Sequence, residues 1–141
     1  MDKPEMITED LLSMIMRHEG FEPYPYKCTA GKWTIGYGRN LEGKPLSKKI
    51  AELMLKEDIG DSIKDLFGVF PGFYKYSENR RMALIDFMLN VGNPTFKKFK
   101  KMIAAIKNND WKTAANEFKD SDYYSQVGIR APELERMIRE G

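Results

Sequence analysis

The chain has one cysteine, Cys28, and one histidine, His18, among its 141 residues. A single cysteine excludes an internal disulfide and suits a protein made in a reducing cytosol. With so few thiol and imidazole groups, no metal site of the usual nitrogen and sulfur type is expected. The sequence also contains no sign of another cofactor, so we expect none.

Long apolar runs and a strong charge imbalance are also absent. Near the N-terminus, the apolar residues are interrupted by Glu9, Asp10 and Arg17, so neither a secretory signal nor a membrane span is expected. The net charge of +2 is too small to point to nucleic acid. We therefore expect no membrane insertion and no nucleic-acid partner, and a cytoplasmic location unless another component releases the protein.

Helical periodicity dominates what is present. The chain is long enough for one domain with a real core. Apolar residues recur at helical spacing after capping residues or prolines, which predicts helices that start near Thr8, Ser47, Glu78, Asn93, Asp110 and Pro132. The run after Glu78 is apolar nearly all round, as in a central buried helix. The helix from Asn93 is predicted to be continuous, with Phe96, Phe99, Ile103 and Ile106 on one face.

One short segment breaks this helical pattern. Gly20 ends the first helix, and Pro23 and Pro25 prevent its continuation, so residues 24–41 are predicted to form an irregular hairpin or small sheet. The predicted fold class is therefore α+β, mostly α. A single β segment in a helical protein is often where the function lies.

Glu19 is the first candidate for chemistry. It lies at the carboxyl end of the first helix, where the helix dipole disfavours its charge and favours the protonated acid. Glycoside cleavage needs such an acid to protonate the leaving oxygen. From position alone, a solvated glutamate at a helix end is the more frequent explanation.

The neighbours of Glu19 change that balance. Glu19-Gly20 is followed at fixed spacings by Tyr26-Lys27-Cys28 and by Thr34-Ile35-Gly36-Tyr37-Gly38-Arg39. This pattern resembles the phage lysozyme (endolysin) family, glycoside hydrolase family 24. The resemblance extends over roughly residues 10–139, through Arg80-Arg81, Asn90-Val91-Gly92, Trp111 and Arg130-Ala131.

The resemblance implies a lysozyme-like fold in which two lobes flank a glycan cleft. The small β lobe would span about residues 21–46, and residues 1–20 and 47–141 would form the helical lobe. The implied activity is hydrolysis of the β-1,4 bond between N-acetylmuramic acid and N-acetylglucosamine in bacterial peptidoglycan. Glu19 would be the general acid, and Thr34 would hold or polarise the attacking water. Cys28 occupies a position where many members have aspartate, and would assist as base, nucleophile or water-positioning group.

The same resemblance places further residues along the sugar groove. The residues expected to line the groove are Asn40, Leu89, Asn90 and Phe99, and Arg130 would lie beside the catalytic glutamate. Two other groove positions carry Met102 and Glu117, which departs from the family pattern. Arg39 stands where the family usually has histidine, and an Arg39–Asp58 ion pair is expected. For Leu89 and Phe99, plain core packing is the alternative.

Two rival functions remain open at this stage. A lytic transglycosylase also works with one glutamate, but Thr34 favours a positioned water and therefore hydrolysis. A wall-binding or phage-tail domain without activity is the second rival, which intact Glu19 and Thr34 disfavour. As an endolysin, the protein would act as a monomer and reach the periplasm and cell wall from the host cytoplasm through a holin-type pore.

Overall fold

The computed structural model describes residues 5–141, so the first four residues of the predicted helical lobe lie outside it. The described residues up to Ile50 form one compact unit, and Ala51–Gly141 form a second. Helices dominate and one small antiparallel sheet is present, which confirms the α+β, mostly α fold class. The predicted lobe boundaries, with residues 1–20 in the helical lobe, stay a prediction.

The first unit begins with helix α1, Glu9–Glu19. The Thr8 side chain accepts a hydrogen bond from the Leu11 N–H at 3.1 Å, which confirms the predicted N-cap. At the other end, Gly20 adopts a φ of 72° and donates its N–H to the Met16 carbonyl. Glu19 is therefore the last residue of α1, as predicted.

A three-stranded antiparallel sheet follows, in the order β1 (Glu22–Lys27), β2 (Trp33–Gly36), β3 (Arg39–Asn40). Because β1 is an edge strand, it tolerates its two prolines, and its register shifts between Glu22 and Tyr26. Thr34, on the central strand, pairs with Tyr26 on one side and Asn40 on the other.

The turn between β1 and β2 is built around Cys28. The Cys28 N–H donates to the Lys32 carbonyl at 3.0 Å, and the Cys28 carbonyl accepts the Gly31 N–H at 2.8 Å. Gly31 has a φ of 76°, the left-handed conformation that ends a tight hairpin loop of this kind. The side chain of Cys28 is thereby held at the start of a turn whose amide groups surround it.

Helices make up the rest of the chain. Their bounds are α2 (Lys48–Val69), a short 3-10 helix (Phe73–Lys75), α3 (Glu78–Val91), α4 (Asn93–Phe96), α5 (Lys100–Lys107), α6 (Trp111–Lys119), a second 3-10 helix (Gly128–Arg130) and α7 (Ala131–Glu140). Ser47 caps α2 through Ile50, and Asp110 caps α6 through Thr113, both as predicted. No helix among residues 5–141 is both long and apolar enough to cross a membrane.

The core of the second unit centres on α3, as its apolar sequence predicted. Leu84 and Phe87 are fully buried on this helix. The Phe87 ring lies 5.6 Å from that of Phe96, 5.0 Å from that of Phe99 and 5.0 Å from that of Phe118, measured between centroids. Such tilted and edge-on contacts are the favourable geometries for aromatic rings, so this cluster fixes α4, α5 and α6 around α3.

The continuous helix predicted from Asn93 is wrong. The chain forms α4, leaves helical geometry at Phe99 (φ −80°, ψ 60°) and starts again as α5. The residue before α4 that acts as its N-cap is Gly92, not Asn93. The break lets Phe96 and Phe99 both reach Phe87, and tertiary packing here overrides the local helical period.

Candidate active site

Glu19 lies directly against the hairpin that joins β2 and β3. Its carboxylate touches Gly38 so closely that a β-carbon at this glycine would collide with Oε2 and lie 3.0 Å from Cδ. Gly38 also has a φ of 70°, which favours glycine. The hairpin and the end of α1 therefore hold the carboxylate against the sheet that also carries Thr34.

Cys28 is a free, half-buried thiol. Hydrogen bonding from the backbone of Lys32, followed by that of Ala30, lowers the pKa of the Cys28 thiol. Partial desolvation opposes these effects without overcoming them. The turn therefore favours the thiolate, the form that acts as base or nucleophile.

Thr34 is buried beside Cys28, with only 4% of its surface exposed. Its hydroxyl donates its one proton to the Lys32 carbonyl at 3.0 Å. The oxygen keeps its lone pairs and can accept a hydrogen bond from a neighbouring water. An acceptor at this position polarises a bound water and so makes its oxygen more nucleophilic.

The two ends of the Asn40 side-chain amide have different roles in this structure. Its Oδ1 accepts the N–H groups of Glu42 at 2.8 Å and Gly43 at 3.0 Å, which closes the turn after β3. The NH₂ end is then the part of Asn40 that is left to meet a sugar. Arg39 donates from Nη2 to the Pro45 carbonyl at 2.9 Å, and its predicted pairing with Asp58 stays a prediction.

The remaining predicted groove residues lie in the second unit. Leu89 and Asn90 are exposed near the end of α3, with 37% of Leu89 accessible, so Leu89 is not a core residue. Phe99 packs on Phe87 and also lies 5.3 Å from Tyr123, measured between ring centroids, so it is partly a packing residue. Their roles in sugar binding stay predictions.

Phe99 is brought together with the two positions that depart from the family pattern. Met102 and Glu117 line the same cavity, which has a volume of about 440 Å³. Met102 is buried and Glu117 partly exposed. The cavity therefore has an apolar floor and a carboxylate at its wall where the family has two small polar side chains.

Arg130 is held by a partner that the sequence analysis missed. Its Nη1 donates to Asp86 Oδ1 at 2.8 Å, and both side chains are 44% exposed. Asp86 is the one charged residue in the apolar run from Met82 to Leu89, and that isolation was the signal that could have found it. The predicted place of Arg130 beside Glu19 stays a prediction.

The sequence analysis also missed two other parts of the site, one glycine and a pair of backbone amides. Gly38 was quoted only as part of the motif, although its missing side chain makes room for Glu19. The backbone amides of Ala30 and Lys32 have no side-chain signature at all. The tight turn after Cys28, marked by Gly31, was the available sign of them.

Comparison with known proteins identifies the family of the chain. The chain matches the family described as "Phage lysozyme" over residues 16–136. It is 30% identical over 129 residues to an endolysin of Acyrthosiphon pisum secondary endosymbiont phage 1, covering 89% of this chain and 86% of that protein. It is 27% identical over 154 residues to probable T4-type lysozyme 2 of Dictyostelium discoideum, covering 89% and 91%.

A fourth similarity concerns a much longer protein. The chain is 26% identical over 168 aligned positions to the pre-baseplate central spike protein Gp5 of Enterobacteria phage T4, covering 99% of this chain but 29% of the spike protein. The match to the phage lysozyme family takes in most of the chain, including Glu19, Cys28 and Thr34. The chain therefore belongs to the phage lysozyme family.

Proposed function

We propose that Glu19 is the general acid of this enzyme and that Cys28 and Thr34 handle the attacking water. The activity follows from the family: the chain is a glycoside hydrolase, a muramidase of the endolysin type that cleaves the β-1,4 bond between N-acetylmuramic acid and N-acetylglucosamine. The observation that carries the residue assignment is the contact of Glu19 with Gly38, because it sets the acid against the sheet that bears Thr34.

The chemistry needs a proton donor on one side and an activated water on the other. Protonated Glu19 gives its proton to the glycosidic oxygen as the bond to the anomeric carbon breaks. Thr34 Oγ1, whose proton is committed to the Lys32 carbonyl, accepts a hydrogen bond from water. The Cys28 thiolate then takes the proton of that water, or attacks the sugar itself in a two-step reaction.

Contacts away from the reacting bond position the glycan. The NH₂ group of Asn40 is suited to a sugar hydroxyl or an N-acetyl carbonyl. On the second unit, the exposed Leu89 and Asn90 offer an apolar and an amide contact, and Phe99 offers part of a ring face. Arg130, oriented by Asp86, supplies a fixed positive charge.

The protein's place in the cell forms part of the proposal. As a monomeric endolysin it would collect in the host cytoplasm and reach the periplasm and cell wall through a holin-type pore. This route is supported by the similarity to a phage endolysin. A virion-attached role like that of a spike protein has weaker support, because the identity to that relative is lower, at 26%.

Mass spectrometry of digested peptidoglycan tests the function directly. Purified peptidoglycan is incubated with the wild type and with Glu19→Gln, and the released muropeptides are weighed. Reducing ends that carry an added water are expected from the wild type, and about 100- to 10,000-fold less product from Glu19→Gln. Anhydro ends would make the enzyme a transglycosylase. Equal binding by both proteins without any cleavage would leave only a wall-binding domain.

A further inference from the structure

Helix α5 and its flanks carry an unusual concentration of positive charge. Residues 93–109 contain five lysines and no acidic residue. A sixth lysine from the 3-10 helix before α3 lies near the end of α5, where it shares a cavity with Lys107. All six side chains are exposed, and we call them the basic stripe: Lys75, Lys97, Lys98, Lys100, Lys101 and Lys107.

The basic stripe takes no part in the ion pairs of the described residues. Among residues 5–141 the ion pairs are Arg130–Asp86 and Arg139–Glu135, and neither includes one of these lysines. An ordinary solvated helix face alternates charges of both signs, whereas α5 carries one sign only. No ion pair of the described residues therefore explains the composition of the stripe.

Two of these lysines also occupy an unfavourable position. Lys100 and Lys101 stand in the first turn of α5, where the positive end of the helix dipole repels a cation, and this turn contains no acidic residue. Residues that are unfavourable for local structure and bring no gain in stability often mark a functional surface.

The stripe continues past both ends of α5. Near the start of the helix, Lys98, Lys100 and Lys101 line the 440 Å³ cavity together with three acidic residues: Glu117, Asp120 and Asp122. Near its end, Lys75 and Lys107 line a cavity of about 560 Å³ that has no acidic residue in its wall. Seven residues of helix separate Lys100 from Lys107, which is roughly 10 Å. An extended anion can therefore meet several lysines in succession along α5.

We infer that the basic stripe binds an envelope polymer that bears phosphodiester groups at regular intervals, and so holds the enzyme near its substrate. Lysine is a compact point charge suited to phosphate. A membrane surface fits less well, because Met102 and Ile106 are buried and α5 exposes no large apolar anchor. Single-stranded nucleic acid fits less well, because both aromatic rings of residues 93–109, Phe96 and Phe99, pack on Phe87.

Binding is tested with purified poly(glycerol phosphate) in the Glu19→Gln background, so that no cleavage contributes. The stripe variant carries Lys75→Gln, Lys97→Gln and Lys107→Gln, because these three lysines do not line the cavity that contains Phe99. The matched control carries Lys64→Gln, Lys112→Gln and Lys119→Gln, three exposed lysines of the same unit that each have an acidic residue within two positions in the sequence. Both variants lose the same charge. A third protein with arginine at the three stripe positions keeps the charge.

We expect the stripe variant to bind about ten-fold more weakly or worse at low salt, with a shallower salt dependence, because fewer counterions are released. The control and the arginine variant should stay within about two-fold of the parent. Equal losses in stripe and control variants would mean that only net charge matters, and would overturn the proposal. So would tighter binding of duplex DNA or of phosphatidylglycerol vesicles than of poly(glycerol phosphate).

The inference rests on the proposed function in one respect: the enzyme must reach the cell envelope, where such a polymer would be found. The two can fail separately, because the polymer has no glycosidic bond in its backbone and the assay measures no hydrolysis. In the active background, the stripe variant should release muropeptides from polymer-free peptidoglycan at the wild-type rate. A loss there would mean that the lysines serve the glycan site instead, and would contradict a separate docking surface.

Discussion

The carboxylate of Glu19 lies against the α-carbon of Gly38, in space that any other residue at position 38 would fill. The two residues are far apart in sequence, and the hairpin after β2 brings them together. The side chain of Glu19 extends from the end of a helix, where little else restrains it. The glycine therefore both admits the acid and limits where it can stand.

Gly38→Ala should abolish most of the activity by displacing the Glu19 carboxylate. Gly36→Ala is a closely matched control, because Gly36 has the same φ of 70° but nothing within 4 Å of an added β-carbon. Both variants should lose roughly 1–2 kcal/mol of unfolding free energy from left-handed strain. Muropeptide release should fall about 100-fold or more only in Gly38→Ala. Equal activity in the two variants would show that the contact does not position the acid.

The pH dependence of the enzyme should carry the signature of Cys28. Its pKa is lowered by the turn amides, first that of Lys32, so the thiolate persists at lower pH than for an ordinary thiol and is lost as pH falls through that pKa. Wild-type activity should fall on acidification through this range. Cys28→Asp should keep activity to lower pH, because an aspartate ionises near 3.9 and can accept the same turn N–H groups.

Cys28→Ala provides the other half of that experiment. It should lower activity about 100-fold and remove the acidic limb assigned to the thiolate. Iodoacetamide should inactivate the wild type at neutral pH faster than it modifies free cysteine, and should leave Cys28→Asp unaffected. If Cys28→Ala matched the wild type, the thiol would be a packing residue only.

The hydroxyl of Thr34 can be separated from its shape by two substitutions. Thr34→Val keeps the volume and removes the acceptor for water, so we expect a loss of about 10- to 100-fold in the rate of muropeptide release. Its unfolding free energy should fall by about 1 kcal/mol, because the Lys32 carbonyl loses a donor. Thr34→Ser retains the hydroxyl and should retain most activity. Equal rates for Val and Ser would exclude a water-positioning role.

The sequence predicted those parts of the fold that depend on local interactions. Thr8 and Asp110 cap their helices through the N–H three residues later, so both caps could be read from neighbouring residues. The break at Phe99 could not, because it depends on Phe87, which lies in a different helix. The local periodicity is compatible with a continuous helix, but long-range packing breaks the helix at Phe99.

The same division applies to the candidate site. Glu19 and Thr34 were found from residue type and spacing, because acids and hydroxyls show their chemistry in the sequence. The lowered pKa of Cys28 was not, since backbone amides of Lys32 and Ala30 cause it and every residue except proline has such an amide. The hydrogen bond from Arg130 to Asp86 joins two helical segments that are distant in sequence. The sequence alone does not show that these segments meet.

Arg80 should contribute to stability without contributing to catalysis. Its guanidinium lies 4.4 Å from the centroid of the Trp111 ring and donates to the carbonyls of Ile138 and Arg139, both at 2.9 Å. It therefore satisfies carbonyls at the end of α7, which have no partner within the helix. Arg80→Ala should lower the unfolding free energy by about 2 kcal/mol and the melting temperature by roughly 4–8 °C.

Arg80→Lys separates charge from geometry in the same place. Lysine keeps the positive charge but lacks the planar fork that reaches both carbonyls, so we expect an intermediate loss of stability. Arg136→Ala, an exposed arginine on α7, serves as the control and should change the unfolding free energy by less than about 0.5 kcal/mol. Urea unfolding gives the three stabilities, and muropeptide release below the melting transition should equal that of the wild type in each variant. If Arg80→Lys were as stable as the wild type, the charge near the helix end would suffice and the two hydrogen bonds would contribute little.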